Sequence, residues 1–439
     1  MGERIRSTGL IDRELSPFYI YYTVIFMAQA TIFTFLNIYF QEELGFTFAQ
    51  IGTIASIGPF VSILTQPFWG ILSDRTNKRK VLMVIIAGAI VVALLFPLHY
   101  AFMYIAVMAV FNTMFNNSIT PMGDAITLQF LEGKKIKFNT IRMIGTVSYA
   151  LMAAVVGYFI GEDMTRIFHI KAILMGIALF AVFWMPDLQR SLLPNNPEDM
   201  DGGDEGGLQR TTSQADCSPS ALRECNPPSS PPLGDSLREL FGNKMVLCIL
   251  ATSLVFGLTM TFYHAFLGIQ LRGIGASEAQ VGQAMFISAA SEVPVLLLVN
   301  KIFGKRKPIH LLMVIGFFMA LRLVMLFAAD VQGSITIVYA AQLLHGLTFM
   351  VHFYFTVVLL NAHAPVHIKS TVQSLNGVIR AVAALIGAGI GGTMADRLGI
   401  GGVYLILSVF VFVLCFVLPG TLSLVYREKV RGMDPVGTK

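Results

Sequence analysis

Three residues with side chains suited to holding a small molecule lie in neighbouring apolar segments of the sequence. Asp124 lies near the end of the fourth apolar segment, and Arg142 opens the fifth, seven residues before Tyr149. Because seven residues make about two helical turns, Arg142 and Tyr149 share one face of a helix. A carboxylate, a guanidinium group and a phenol ring placed together could grip a polar, ring-shaped solute. The alternative is a salt bridge at the segment ends, with Tyr149 as an ordinary packing residue.

A second set of ionisable residues lies deep inside later apolar segments. Glu292 is in the middle of the eighth segment, Arg322 is inside the ninth and His345 is inside the tenth, all at similar depths. A carboxyl group shielded from water beside an arginine can gain and lose a proton as its surroundings change. We interpret Glu292 as a proton carrier, Arg322 as the residue that tunes its proton affinity, and His345 as a relay or solute contact. A structural Glu–Arg pair and a hydrogen-bonded core histidine are the alternatives.

One further arginine and several amides also lie inside apolar segments. Arg380 is midway along the eleventh segment, and the seventh segment offers it no acidic partner. It could bind an anionic group of a solute or pair with Glu292. The amides could line a polar cavity or hold helices together. They are Gln29, Asn37, Gln66, Asn112, Asn116, Gln342 and Asn376.

A short polar loop between the second and third apolar segments suits a mechanical role. Gly70 would let helices approach closely, and Asp74 with Arg75 could clasp neighbouring helix ends and release them when that side opens. Arg79 belongs to the basic cluster that follows this pair. The alternative is a basic loop that only sets the orientation in a membrane.

The composition places these residues in a membrane protein. The 439-residue chain is 55% hydrophobic and 13% charged, with a mean hydropathy of +0.69, whereas soluble domains are about 45–50% apolar and about 25% charged. Long unbroken apolar runs predict membrane-spanning helices rather than barrel strands. The four cysteines lack metal-ligand spacing, so we expect no metal and no cofactor, with a proton as the coupling ion.

The apolar segments fall into two groups of six. We predict an all-α membrane protein of twelve transmembrane helices in two pseudo-symmetric six-helix bundles, residues 1–186 and 241–439. Residues 187–240 are rich in proline, glycine and serine and cannot bury a core, so they are predicted to be a disordered linker. The last three predicted spans are Ser334–Leu360, Thr371–Met394 and Gly402–Val425.

Basic residues near the span ends predict the orientation. They concentrate on the side of the Asp74 loop, and the opposite side carries mainly acidic residues such as Glu42 and Asp330. The positive-inside rule then places both termini and the linker in the cytoplasm. The basic side carries Arg75, Lys78, Arg79, Lys80, Lys134, Lys135, Lys137, Lys301, Lys305, Arg306, Lys307, Lys369, Arg427 and Lys429.

The Gly70–Lys80 loop closely resembles the signature loop of the major facilitator superfamily. Within it the chain resembles the lactose-permease-like branch, and most of all the phenylpropionate permease group with its nucleoside symporter-like members. The resemblance covers nearly the whole chain except the linker and tails. It rests on Gln66–Asp74 for the branch, and on Ser291–Pro294 and Leu344–Phe349 for the group.

Residue by residue, the resemblance implies a solute site and also shows departures. Asp124 and Arg142 keep the separation of the acid and arginine that hold the sugar in lactose permease, and Tyr149 takes the place of its stacking tryptophan. The acids of that permease's seventh span have no counterpart in Thr259–His264, and Thr348 stands where its tenth span has the proton-carrying acid. Proton coupling through Glu292 is therefore an inference of its own. The proline-and-glycine motif of drug/proton antiporters is absent from Gly145–Gly161, which favours uptake.

Together these observations predict a proton-coupled symporter, not an enzyme, that imports a saccharide, a nucleoside or a small aromatic acid by alternating access. We expect it to act as a monomer in the cell membrane, with a small-molecule substrate and no nucleic acid partner. The alternatives are an efflux antiporter and a transporter-derived sensor that binds a solute without moving it.

Overall fold

The first half of the chain folds into six long helices. The computed structural model describes residues 14–417 except residues 133, 135, 137, 162, 187–241, 304–307 and 365–368. The predicted linker, the outermost ends of the chain and several of the predicted basic residues therefore lie outside the described residues. The helices are α1 Ser16–Glu42, α2 Phe48–Arg75, α3 Lys78–Leu95, α4 Phe102–Leu131, α5 Phe138–Ile160 and α6 Arg166–Trp184.

The second half repeats this plan with two irregularities. Leu344 separates α10 from α11 within the predicted tenth span, and Gly399 has a φ of 72° inside α12. A positive φ suits glycine and bends the chain there. The helices are α7 Lys244–Gly273, α8 Glu278–Phe303, α9 Pro308–Gln332, α10 Ile335–Leu343, α11 His345–His363 and α12 Lys369–Val411, with a π-helical turn at Phe412–Val417.

Side-chain caps fix where some helices start. At the start of α2, the Thr47 hydroxyl accepts a hydrogen bond from the Gln50 N–H, and the Gln50 side chain accepts one from the Thr47 N–H. Asn77 caps α3 through the backbone N–H of Lys80. Because such caps satisfy N–H groups that lack a partner within the helix, they set sharp boundaries next to the short connections.

The predicted all-α membrane class is confirmed, and the described residues account for part of the predicted count of twelve spans. Within the described residues, ten helices are long and apolar enough to cross a membrane. The predicted eleventh and twelfth spans fall together in one of these, Thr371–Val417, where two helices meet at a kink because the backbone of Gly399 (φ 72°, ψ 162°) is not helical. At 47 residues it is more than twice the about 20 residues that one crossing needs. The predicted eighth span, α8, is 26 residues long but is not one of the ten, and it carries Glu292 in its interior.

The helices pack as two groups that contact each other along two seams. Helix α2 packs against α12, and α5 packs against α8. Consecutive helices joined by short connections run antiparallel, so the connections alternate between two ends of the bundle. We call the end with the α2–α3 connection (residues 76–77) the basic face. We call the end with the α1–α2 connection (residues 43–47) the distal face.

The two halves are joined at the distal face. Near that face, the Arg272 guanidinium at the end of α7 bonds the Glu42 carboxylate at the end of α1 at 2.7 Å. Asn37 Nδ2 of α1 donates to the backbone carbonyl of Ala265 in α7 at 3.0 Å. The larger buried apolar cluster contains residues of both halves, and its members from the first half lie toward the distal face. The cluster at the basic face, among the described residues, draws on the first half only. The space between the halves therefore opens toward the basic face.

Candidate functional site

A cavity of about 620 Å³ lies between the halves. Its volume is within the range of about 300–1,000 Å³ that small-molecule sites occupy. Its polar lining consists mainly of amides and hydroxyls, which can both donate and accept hydrogen bonds. The lining residues are Ala28, Gln29, Ile32, Phe33, Leu36 and Asn37 of α1; Ala55 and Gln66 of α2; Asn112, Asn116, Asn117 and Thr120 of α4; Tyr149 of α5; Lys171 of α6; and Thr261, His264 and Ala265 of α7.

Some of the amides selected from the sequence line the cavity, and the others join helices. Gln29, Asn37, Gln66, Asn112 and Asn116 line the cavity. The other two lie outside its lining and join helices. Gln342 accepts hydrogen bonds from Tyr263 and Arg322, and Asn376 accepts one from Ser253 at 2.7 Å.

Asp124 and Arg142 lie together at the basic side of the cavity. Arg142 Nε is 3.7 Å from Asp124 Oδ2, and the Tyr22 hydroxyl donates to Asp124 Oδ1 at 2.6 Å. The guanidinium also lies 4.5 Å from the centre of the Phe26 ring. Both charged side chains remain about one-third exposed (34% and 27%), so their charged groups are accessible from the basic face. Tyr149, two turns further along α5, lines the cavity itself.

Glu292 pairs with His345 rather than with Arg322. Glu292 Oε1 is 3.2 Å from His345 Nε2. Among the described residues, Arg322 has no carboxylate within 4.0 Å. It is fully buried and donates to Gln342 Oε1 at 3.0 Å, and its guanidinium lies 4.1 Å from the centre of the Tyr263 ring. The three residues share a depth, as expected, but the side chain of His345 is the one that meets the carboxylate.

A histidine connects this pair to the cavity. The His264 ring lines the cavity, and its centre lies 6.2 Å from that of His345. His345 in turn stacks on Phe349, with centres 5.2 Å apart. The rings of His264 and His345 therefore lie between the cavity and Glu292, whose own side chain is 20% exposed.

Arg380 lies apart from both predicted groups. Its side chain is exposed and lies over the Phe353 ring, 5.2 Å from the ring centre. No carboxylate of the described part of the chain lies within 4.0 Å of it, and Glu292 is engaged with His345. The structure thus places Arg380 with neither Asp124 nor Glu292.

The clasp predicted for Asp74 and Arg75 is not formed in this conformation, within the part of the chain that the structure describes. Asp74 and Arg75 are exposed, and nothing lies within 4 Å of the position that a Cβ on Gly70 would occupy. Arg79 instead donates to the backbone carbonyl of Phe183 at the end of α6 and lies over its ring. The close approach expected at Gly70 is absent while this face is open.

Two ionisable cavity residues, Lys171 and His264, are missing from the set predicted from the sequence. Lys171 is 3% exposed, and its Nζ donates to Asn112 Oδ1 at 2.8 Å. The sequence does contain a feature that could identify both residues, because each is an ionisable residue inside an apolar segment. Lys171 lies five residues from the start of α6, where the side chain of a lysine ordinarily extends to the membrane surface. For that reason its position in the sequence does not indicate a place in the cavity.

Two helical halves around a polar cavity that opens at one face define a multi-pass membrane transporter of the major facilitator type. The chain belongs to the MFS_1 like family, whose model matches residues 14–417. The superfamily expected from the Gly70–Lys80 loop is thereby confirmed, and the chain is a transporter rather than an enzyme.

Individual relatives are similar over most of their length. The maltose permease of Geobacillus stearothermophilus is 25% identical over 423 residues, which cover 95% of this chain and 96% of the permease. The uncharacterized transporter YwbF of Bacillus subtilis (strain 168) is 25% identical over 398 residues, 90% of this chain and 88% of that protein. The crystal structure of the nucleoside transporter NupG has a TM-score of 0.75 at 16% identity and covers 92% of this chain and 98% of its own.

Proposed function

We propose that this protein is a proton-coupled symporter that imports a small polar solute by alternating access. The observation that carries the proposal is the amide- and hydroxyl-lined cavity, open toward one face only, with the Glu292–His345 pair beside it. A cavity closed at one face and open at the other is what one state of alternating access requires. The solute is a saccharide, a nucleoside or a small aromatic acid. The relatives named maltose permease and nucleoside transporter support the first two.

The basic face is the cytoplasmic face in this proposal. Described residues at that face include Arg75, Lys78, Lys80 and Lys134, and the distal face carries Glu42, Glu43 and Asp163. Such an excess of lysine and arginine marks cytoplasmic loops. The conformation described above is then inward-open, and the protein resides in the cell membrane with both termini in the cytoplasm.

The proton is carried by Glu292. Its carboxylate lies deep in α8, and a protonated carboxyl is far less costly than a charged one in that setting. His345 and His264 connect it to the cavity, so solute binding and proton binding share a set of contacts. The Arg322 guanidinium donates a hydrogen bond to Gln342 and places a positive charge near His345.

The solute is held between Tyr149 and the polar wall of α4, with the Asp124–Arg142 pair on its path to the basic face. The phenol ring offers a stacking surface, and the pair offers forked donors and two acceptor oxygens. Arg380, which lies apart in this conformation, would approach the solute only when the halves rearrange.

The test uses the purified full-length protein in lightly buffered proteoliposomes, with the distal face outward. The pH of the external medium is recorded. Addition of the transported solute should make the outside more alkaline, since protons enter with it. Acidification would select the efflux antiporter instead. Binding of a solute without any pH change or flux would select the sensor.

A further inference from the structure

Lys171 reaches into the membrane core instead of extending to the surface. Its backbone lies five residues after Arg166 at the distal end of α6, about 8 Å along the helix. Its Nζ binds Asn112, ten residues after Phe102 at the distal end of α4, about 15 Å deep. A lysine near a helix end ordinarily does the reverse and brings its ammonium to water.

Within the described residues, the Lys171 ammonium has no negatively charged partner. No carboxylate in the described part of the chain lies within 4.0 Å of Lys171, and its one hydrogen bond goes to a neutral amide. A charge held in a membrane span without a counter-charge is costly and indicates a functional site. Lys171 also lines the cavity, so a solute can supply the missing charge.

Lys171 and its partner Asn112 keep spare hydrogen-bond donors, because the acceptor oxygen between them is already used twice. Asn112 Oδ1 accepts from Lys171 Nζ at 2.8 Å and from Asn116 Nδ2 at 2.8 Å. Because an ammonium can only donate, the Asn112 oxygen must face it, which turns the Asn112 amide nitrogen away. That nitrogen and two N–H groups of Lys171 make no hydrogen bond within the described residues. The cluster therefore offers several donors and one positive charge.

We infer that Lys171 and Asn112 form a binding site for a carboxylate of the transported solute, with Asn116 holding the Asn112 side chain in place. Two oxygens and one negative charge match the spare donors and the unpaired ammonium, whereas a hydroxyl would leave the charge uncompensated. The inference rests on the proposed function and deepens it, since it selects the acidic members of the solute classes considered. A neutral saccharide or nucleoside would not satisfy this part of the cavity.

The test compares acids with uncharged counterparts on the purified full-length protein in detergent, at constant pH. Benzoate, phenylacetate and glucuronate are titrated beside benzamide, phenylacetamide and glucose, with binding followed by calorimetry. We expect at least one acid to bind about tenfold or more tightly than its counterpart, as a charge-assisted hydrogen bond allows. Lys171→Met should remove that preference, Lys171→Arg should keep part of it, and Lys80→Met, which changes an exposed lysine of α3, should keep all of it.

A second measurement separates a binding role from a structural one. Removing an unpaired charge from the core should leave the melting temperature of the Lys171→Met protein equal to or above that of the wild type. A lower melting temperature would mean that Lys171 holds α4 and α6 together, and the inference would be overturned. Equal affinity for acids and counterparts in the wild type, or a preference that survives in Lys171→Met, would also overturn it. No proton gradient is present in these binding experiments, so their results do not depend on proton coupling. Proton coupling is tested separately by the pH recording.

Discussion

The carboxylate of Asp396, which lies in α12 just before the kink at Gly399, caps the first turn of α2. Its Oδ1 accepts from the backbone N–H of Phe48 at 2.9 Å, and its Oδ2 accepts from that of Ala49 at 3.0 Å. The first N–H groups of a helix lack partners within it and favour a negative charge, so the contact joins the halves at the distal face. The segment Gly392–Arg397 has the same Gly-x-x-x-Asp-Arg order as Gly70–Arg75, and Gly70–Arg75 forms the opposite end of α2.

Asp396→Ala should shift the protein toward a state that is open at the distal face. Loss of a cap of this kind costs about 1 kcal/mol, which changes a two-state population about fivefold. The measurement is the labelling rate of a Leu36→Cys cavity reporter by a maleimide that cannot cross membranes, with the four native cysteines replaced by serine. Labelling from the distal face should become faster.

The matched control is Asp163→Ala. Asp163 is another distal-face aspartate, and it bonds Thr165 within its own loop. That contact holds the pKa of Asp163 below its ordinary value, but it joins no other helix. Equal labelling rates for both variants would show that Asp396 does not hold the distal face closed.

Gly52→Leu should exclude the present conformation. A Cβ at Gly52 would collide with the carbonyl oxygen of Ala388 and lie 3.2 Å from the Cα of Gly392, so α2 and α12 would have to separate. The same labelling assay should report faster access from the distal face. Gly176→Leu is the control, since nothing lies within 4 Å of a Cβ there. Unchanged access in a folded Gly52→Leu protein would argue against the close packing of these helices.

Asp124→Asn and Arg142→Ala should each weaken solute binding by about tenfold or more, because each change removes one partner of a charged pair that faces the solute path. Tyr22→Phe, which removes only the hydrogen bond to Asp124, should weaken it less. Affinity is measured by calorimetry on the purified protein, with Asp163→Asn as the control. Wild-type affinity in both charge variants would move the solute site elsewhere in the cavity.

Glu292→Gln should abolish uphill accumulation and leave counterflow exchange of solute intact. An amide cannot take up a proton, yet it keeps the size and one acceptor beside His345. Radiolabelled solute in proteoliposomes measures both activities. Glu43→Gln, at an exposed position of the distal face, is the control. Accumulation at the wild-type level would rule out the carrier role of Glu292.

The sequence predicted the helices well because an apolar run of about 20 residues has few alternatives in lipid. It also paired Asp124 with Arg142 correctly, since both lie near one end of neighbouring segments. Depth along a span can be counted from the sequence, but direction around the helix axis cannot. For that reason Arg322 was expected beside Glu292, and His345 lies there instead. Lys171 was missed because its long side chain carries the charge far from its backbone position.

Coupling of solute entry to proton entry is measured as solute accumulation under an imposed pH gradient. Proteoliposomes with an acidic exterior at the distal face receive radiolabelled solute, with and without a protonophore. We expect the solute to accumulate above its external concentration, and we expect this accumulation to be lost when the protonophore collapses the gradient. Uptake that stops at equal concentrations, with or without the gradient, would contradict it.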